Sequence, residues 1–223
     1  MSAPISVVIP TLNAASHLPG CAAALFEGVQ DGLIRELIVT DGGSDDETAT
    51  ICEELGARLL TGPASRGGQL VRGCDAAQGP WLLVVHADTQ LATGWTSAAR
   101  EHIKSRKAGW GRLQFDTGGR WVAAWANLRA HMFGLPYGDQ ALLLPKSLYT
   151  RVGGYPDQPL MEDVALARRL NGQLREAGFV AVTSGAKFRR VGWLRQGARN
   201  LRTLLRYLCG ADPERLAAQY RKR

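Results

Sequence analysis

The chain reads as an α/β protein whose mostly parallel sheet carries helices on both faces. Three observations predict this. Short runs rich in β-branched residues alternate with helix-like segments through the first two-thirds of the sequence. The run Trp81-Leu-Leu-Val-Val85 shows no polar alternation, as expected of a strand buried on both faces. Polar clusters then follow the runs directly, where the loops of such a sheet gather at the carboxyl ends of its strands. The length of 223 residues favours one compact unit, and 45% hydrophobic with 21% charged residues excludes a disordered chain. No internal repeat or clear linker interrupts it, so a single domain over 1–223 is expected, with parts at 1–108, 109–186 and 187–223.

The elements follow in order. Ile5 to Ile9 predicts a strand stopped by Pro10, and Ala14 to Glu27 a helix. Glu36 to Thr40 predicts the second strand. It runs into Asp41-Gly-Gly-Ser-Asp-Asp46, a turn that also supplies caps for a helix over Asp46 to Leu55. Arg58 to Thr61 is a third strand, Gly68 to Ala77 a helix, and Trp81 to Val85 the fourth strand. Beyond residue 108 the texture changes. Gly109 to Phe115 and Gln140 to Leu144 read as strands, with a Trp-rich helix from Trp121 to Met132 between them. Glu162 to Glu176 predicts a helix striped by Val164, Leu166, Ala167 and Leu170.

The formal net charge of +7 is local in origin. Residues 187–223 hold eleven Lys and Arg against Asp212 and Glu214, whereas the other 186 residues hold sixteen basic and eighteen acidic side chains. In Trp193 to Leu208, Arg195, Arg199, Arg202 and Arg206 share one helical face, with Leu194, Leu201, Leu205 and Leu208 largely elsewhere. Three readings fit this basic helical tail: a solvated helix packing its leucines on the domain, peripheral contact with an anionic membrane, or contact with an anionic ligand. No apolar run approaches the ~20 residues of a membrane span. Met1 to Pro10 lacks a basic segment, so a signal peptide is not expected. Cys21, Cys52, Cys74 and Cys209 form no Cys-x-x-Cys pair, and small buried thiols in a reducing, cytoplasmic compartment are expected.

The carboxylates carry the chemistry. Asp88, in His86-Ala87-Asp88 after the fourth strand, is placed to hold Mg²⁺ or Mn²⁺, or else to cap a helix. Asp41 ends the second strand in the same way. Glu162-Asp163 opens a helix, where acidic residues complement the dipole or, at a cleft mouth, act as a general base. Asp139-Gln140 is a weaker polar spot.

Taken together, Ser6-Val-Val-Ile-Pro-Thr-Leu-Asn13, Asp41-Gly-Gly-Ser44, His86-Ala-Asp88 and Glu162-Asp163 resemble the ordered motifs of family 2 glycosyltransferases with the GT-A, Rossmann-like fold. Gly138-Asp-Gln140, Pro159-Leu-Met-Glu-Asp163 and Asp212-Pro-Glu-Arg-Leu216 extend the likeness to the arsenosugar-biosynthesis subgroup. The resemblance implies a nucleotide-binding half at 1–108 and an acceptor and catalytic half at 109–186. It implies inverting transfer of a sugar from a nucleotide-diphosphate donor, a UDP-sugar by default, to a small-molecule or lipid-linked hydroxyl acceptor. Pro10, Thr11, Asn13, Asp41, Arg66, Ala87 and Asp88 would bind the donor, and Asp88 with His86 a divalent cation (Mn²⁺ or Mg²⁺). Asp163, with Glu162, would supply the base, and Asp139, Gln140 and Trp193 would meet the acceptor. His86 replaces the first Asp of the usual metal motif, and Gly42 a second Asp facing the base. Arg189-Arg-Val-Gly-Trp193 only loosely matches the Gln-x-x-Arg-Trp motif of processive synthases, with Gly192 in place of its Arg.

Other classes fit less well. A sugar-phosphate nucleotidyltransferase needs a glycine-rich basic loop after the first strand, and Pro10 to Asn13 is not one. A nicotinamide oxidoreductase needs Gly-x-Gly-x-x-Gly, which is absent. A non-catalytic basic module binding nucleic acid or membrane would leave the strand-end carboxylates without a role, and nucleic acid is not expected as a partner.

Overall fold

The structure is a computed structural model that describes residues 3–221, so Lys222 and Arg223 of the basic tail lie outside it. In chain order the elements begin β1 (Ile5–Thr11), α1 (Leu18–Gln30), β2 (Ile34–Asp41), α2 (Thr48–Glu54), β3 (Arg58–Thr61), α3 (Arg66–Ala76) and β4 (Trp81–Val84). They continue β5 (Thr89–Leu91), α4 (Trp95–Lys104), β6 (Ala108–Phe115), α5 (Arg120–Phe133), a 3₁₀ turn over Gly138–Gln140, β7 (Leu142–Pro145) and α6 (Lys146–Arg151). The last are α7 (Glu162–Arg169), β8 (Leu174–Thr183), α8 (Ala186–Val191), α9 (Trp193–Leu208) and α10 (Pro213–Arg221).

The strands form one sheet in the order β3-β2-β1-β4-β7-β6-β8-β5. The first four are mutually parallel, β7 runs antiparallel between β4 and β6, and β8 is parallel to β6. Side chains alternate across the sheet into two cores. Val7, Ile9, Leu83 and Val85 pack with Leu18, Leu25 and Trp95 on one face. Val8, Ile38, Leu82 and Val84 pack with Leu70, Cys74 and Leu166 on the other. This double burial is why β1 and β4 carry no polar alternation. The chain winds from β1 outward to β2 and β3, then crosses back to β4. The crevice between the carboxyl ends of β1 and β4 is therefore the topological switch point, where ligands of open α/β sheets bind.

Three expectations change. The helix read over Glu162 to Glu176 stops at Arg169. Gly172, at φ +72°, turns the chain, and Leu174 to Glu176 begin β8, which pairs along β6. Pairing places Ala177, Phe179 and Ala181 in the core, and that gain overrides a locally good helix sequence. Gln140 belongs to a 3₁₀ turn, and β7 begins only at Leu142. In α9 two of the four arginines pack on α10, while Arg195, Arg202 and the predicted leucine stripe stay exposed. Arg199 lies over the Tyr220 ring at 4.3 Å, and Arg206 bonds Gln219, whereas Leu194, Leu201, Leu205 and Leu208 are exposed. Among the described residues no helix is long and apolar enough to cross a membrane.

Candidate active site

A cavity of about 500 Å³ opens at the switch point. Its floor is the end of β1 and the loop after it, Pro10, Thr11 and Asn13, with His86, Ala87 and Asp88 from the segment after β4. Arg66, at the start of α3, lines the cavity. Asp139, from the 3₁₀ turn, and Asp163, from the first turn of α7, line it too, and α3 abuts the loop before α7 through Gly67.

The loops meet through specific bonds. Asp41, 5% exposed, lies behind the cavity wall and accepts from Thr11 Oγ1 (2.9 Å), Ser44 Oγ (2.5 Å) and the N–H groups of Gly43 and Ser44. Burial opposes its charge, but these donors outweigh that and hold its carboxyl below the usual range. Asn13, at φ +50°, ties the same two loops. Its N–H donates to Ser44 Oγ (2.8 Å), and its Oδ1 accepts from Asp45 N–H (3.0 Å). Gly42 sits where a Cβ would come within 3.1 Å of both Ala64 and Gln69. That crowding gives a physical reason for the missing second Asp.

The Arg66-Gly-Gly-Gln69 segment divides its work. Gly67 lets α3 abut the loop before α7, since a Cβ there would lie 2.1 Å from the Pro156 carbonyl oxygen. Gly67 N–H also donates to Gln158 O at 3.0 Å. Gln69, 5% exposed, donates through Nε2 to the carbonyls of Thr11 and Thr40, both at 2.7 Å, and so joins the ends of β1 and β2. Arg66 is left facing three carboxylates. Burial works against its charge, but Glu162, Asp163 and Asp88 outweigh it and raise the guanidinium pKa.

Asp88 is exposed to the cavity, and among the described residues only its backbone carbonyl is engaged, by Ser184 N–H at 3.1 Å and Thr183 Oγ1 at 3.4 Å. It caps no helix, because Thr89 opens a strand. Burial, and then the charge of Arg66, pull the His86 imidazole below its ordinary range, against the pull of Asp88 and Asp163. The ring packs on Gly138, where a Cβ would come within 2.3 Å of Nε2. Among the described residues no three His, Cys, Asp or Glu side chains cluster as a metal cage. An exposed carboxylate beside an imidazole that favours its neutral form nonetheless fits an ion that keeps most of its coordination for phosphate oxygens and water.

Asp163 accepts through Oδ2 from Gly138 N–H (2.8 Å) and through Oδ1 from Val164 N–H (2.7 Å), so it pins the 3₁₀ turn to α7 while facing the cavity. Glu162 does not line the cavity. It is 1% exposed with Oε2 unpartnered, and burial, then the charge of Asp163, raises its pKa. Asp139 lines the cavity, and burial lifts its carboxyl to about 6 against the charge of Arg129. Gln140 is fully buried and bonds Tyr137 N–H (3.2 Å), Asn127 (3.2 Å) and Arg129 (3.4 Å), so it positions the turn and does not reach the cavity. Trp193 is also away from the cavity. It stacks on Phe188 at 5.1 Å and meets Phe115 edge-on at 5.0 Å, and those two rings line the wall in its stead. Gly192, at φ +97°, turns the chain into α9 in a conformation an arginine would adopt only with strain. Gln69, Tyr137, Lys187, Phe188 and Tyr220 also line the cavity, and sequence reasoning did not single out their roles.

A doubly wound sheet with carboxylates and an arginine converging on its switch point defines the class of open α/β folds that bind ligands at the carboxyl ends of their strands. Residues 6–155 match the family model described as glycosyl transferase family 2, and the chain belongs to that family. The PGL/p-HBAD biosynthesis glycosyltransferase of Mycobacterium tuberculosis is 33% identical over 168 residues, which cover 70% of this chain and 64% of that protein. The matched segment thus spans just under two-thirds of that relative's length. Its name does not concern arsenosugars, so the subgroup likeness gains nothing from it. Among solved structures, glucosyl-3-phosphoglycerate synthase from M. tuberculosis in complex with Mn²⁺, UDP and phosphoglyceric acid aligns with a TM-score of 0.63 and 20% identity, over 94% of this chain and 80% of that one. S. aureus TarS aligns with a TM-score of 0.64 and 14% identity, over 99% and 70%. These likenesses show the fold, which is the GT-A arrangement expected.

Proposed function

We propose that this protein transfers a sugar, with inversion, from a nucleotide-diphosphate donor to a hydroxyl acceptor. The observation that supports this most is the meeting of Asp88, Arg66 and Asp163 in one cavity at the β1/β4 switch point. Pro10, Thr11, Asn13 and Ala87 are the groups for the nucleoside, with Asp41 ordering their loops from behind. Arg66 takes the diphosphate. Asp88 and His86 are the residues that would hold a Mn²⁺ or Mg²⁺ ion, whose chemistry there is Lewis-acid stabilisation of the leaving diphosphate. Asp163 accepts the proton of the attacking hydroxyl, and its bond to Gly138 N–H fixes its aim. Inversion requires the base and the leaving group on opposite sides of the anomeric carbon, so in this reading Asp163 and Asp88, which come from different elements of the lining, act on opposite faces of the sugar. Glu162 acts behind Asp163 and does not touch substrate.

UDP is the default donor nucleotide, in keeping with the UDP-bound neighbour. Asp139, Tyr137 and Phe188 form the acceptor side. The arsenosugar reading rests only on Gly138 to Gln140, Pro159 to Asp163 and Asp212 to Leu216, and the acceptor is a small-molecule or lipid-linked alcohol. The thiols, three of them buried and none in a disulfide, suit a reducing cytoplasm, with any membrane contact peripheral.

Calorimetric titration with UDP and GDP, each with Mn²⁺ or chelator, tests the donor site. The expected result is metal-dependent binding of one nucleotide that Asp88→Ala abolishes. Equal affinity with and without metal would remove Asp88 from the diphosphate site, and no binding of either nucleotide to the folded protein would remove the donor reading.

A further inference from the structure

Helices α5 and α9 leave an apolar face uncovered. On α5 the exposed residues Trp121, Trp125 and Met132 recur at spacings of four and seven, which puts them on one side of the helix. On α9 Leu194, Leu201 and Leu205 do the same, and Leu194 is 75% exposed, Met132 62%. The two stripes belong to one surface, because Trp125 and Leu201 line a common cleft of about 40 Å³. A soluble monomer rarely leaves two such stripes side by side without use.

Helices α5 and α9 themselves carry charge of one sign. No Asp or Glu occurs between Asp116 and Asp139, or between Glu176 and Asp212. Arg195 and Arg202 each follow a leucine of the stripe by one residue, are exposed, and flank the apolar face. Arg199 and Arg206 are instead tied to α10, and Arg189 to Asp116. Tryptophans and leucines at the centre with cations at the margin match the layering of an anionic lipid–water interface. A protein partner would need complementary acids spaced to fit the arginines, and a second copy would bring like charges together. The cleft also shares Phe115, Tyr137, Asp139, Phe188 and Asn200 with the main cavity, so the face adjoins the acceptor side.

We propose that the α5/α9 face seats this protein on an anionic bilayer, which brings the acceptor side of the main cavity beside lipid-borne hydroxyl acceptors. The docking stands on the surface alone, and the acceptor class rests on the transferase reading.

The test is co-sedimentation with vesicles of phosphatidylcholine, alone or mixed with phosphatidylglycerol. The parent protein is compared with Met132→Asp/Leu205→Asp and with Arg195→Ser/Arg202→Ser, and UDP titration and melting serve as controls. The parent is expected to bind the mixed vesicles and to release as salt is raised. The arginine pair should weaken binding about fivefold per residue, and the aspartate pair should reduce it to background, both with parental UDP affinity. A parent that stays in the supernatant with mixed vesicles at low salt overturns the proposal, as does binding unchanged in both variants. So does a parent dimer that the aspartate pair dissociates, since a second copy would then cover the face. Vesicle binding without UDP binding would instead sink the donor reading and leave the docking intact.

Discussion

Replacing Gln69 tests whether one buried amide aligns the two loops of the donor site. Its Nε2 donates to the carbonyls of Thr11 and Thr40 at 2.7 Å each, and its side chain lies against the cavity. Gln69→Leu removes both N–H donors and leaves an apolar side chain one carbon shorter. Each buried carbonyl then loses a bond worth about 1 kcal/mol net, or up to about 3 if it stays dry. Thr11 O keeps its bond from Gly42 N–H, so the expected loss is roughly 2–4 kcal/mol. For a chain of this length that lowers Tm by roughly 5–15 °C in a thermal melt. Because the ends of β1 and β2 separate, UDP affinity by calorimetry should fall about tenfold. Gln69→Glu sharpens the test. At pH 8 it points a carboxylate at two carbonyl oxygens and should lose more than leucine, and acidification should restore part of the loss by protonating it. A leucine variant melting within about 1 °C of the parent with parental UDP affinity would refute the clamp.

Asp163→Asn keeps an oxygen to accept from Gly138 N–H and removes the proton acceptor. Turnover should fall by roughly 10²–10⁴-fold with UDP affinity unchanged, and near-parental turnover in a sugar-transfer assay would exclude Asp163 as the base. Asp139 is raised from 3.8 to about 6, first by burial. The folded state therefore binds more protons than the unfolded state between those values, and stability falls as pH rises through that window, by roughly 2–3 kcal/mol. Asp139→Asn should remove that slope in denaturant melts, and parallel pH profiles for parent and variant would contradict it.

The sequence by itself determined what depends on local pattern. β1 and β4 fall almost where their apolar runs predict, because a strand buried on both faces must declare itself in the order of side chains. The strand-end placement of Thr11, Asp41, His86 and Asp88 was legible for the same reason: a parallel sheet sends every such loop to one edge. Only the tertiary structure decided the rest, because those outcomes depend on partners distant in the chain. Leu174 to Glu176 became a strand because β6 lay open to pair. Glu162 and Gln140, each adjacent to a cavity residue, turned inward, since burial separates neighbours on one turn that sequence treats alike. Trp193 found Phe115 and Phe188 in place of the cavity. The face of α9 that meets solvent was set by α10, which captured Arg199 and Arg206, buried Leu204 and left Leu194, Leu201, Leu205 and Leu208 outside.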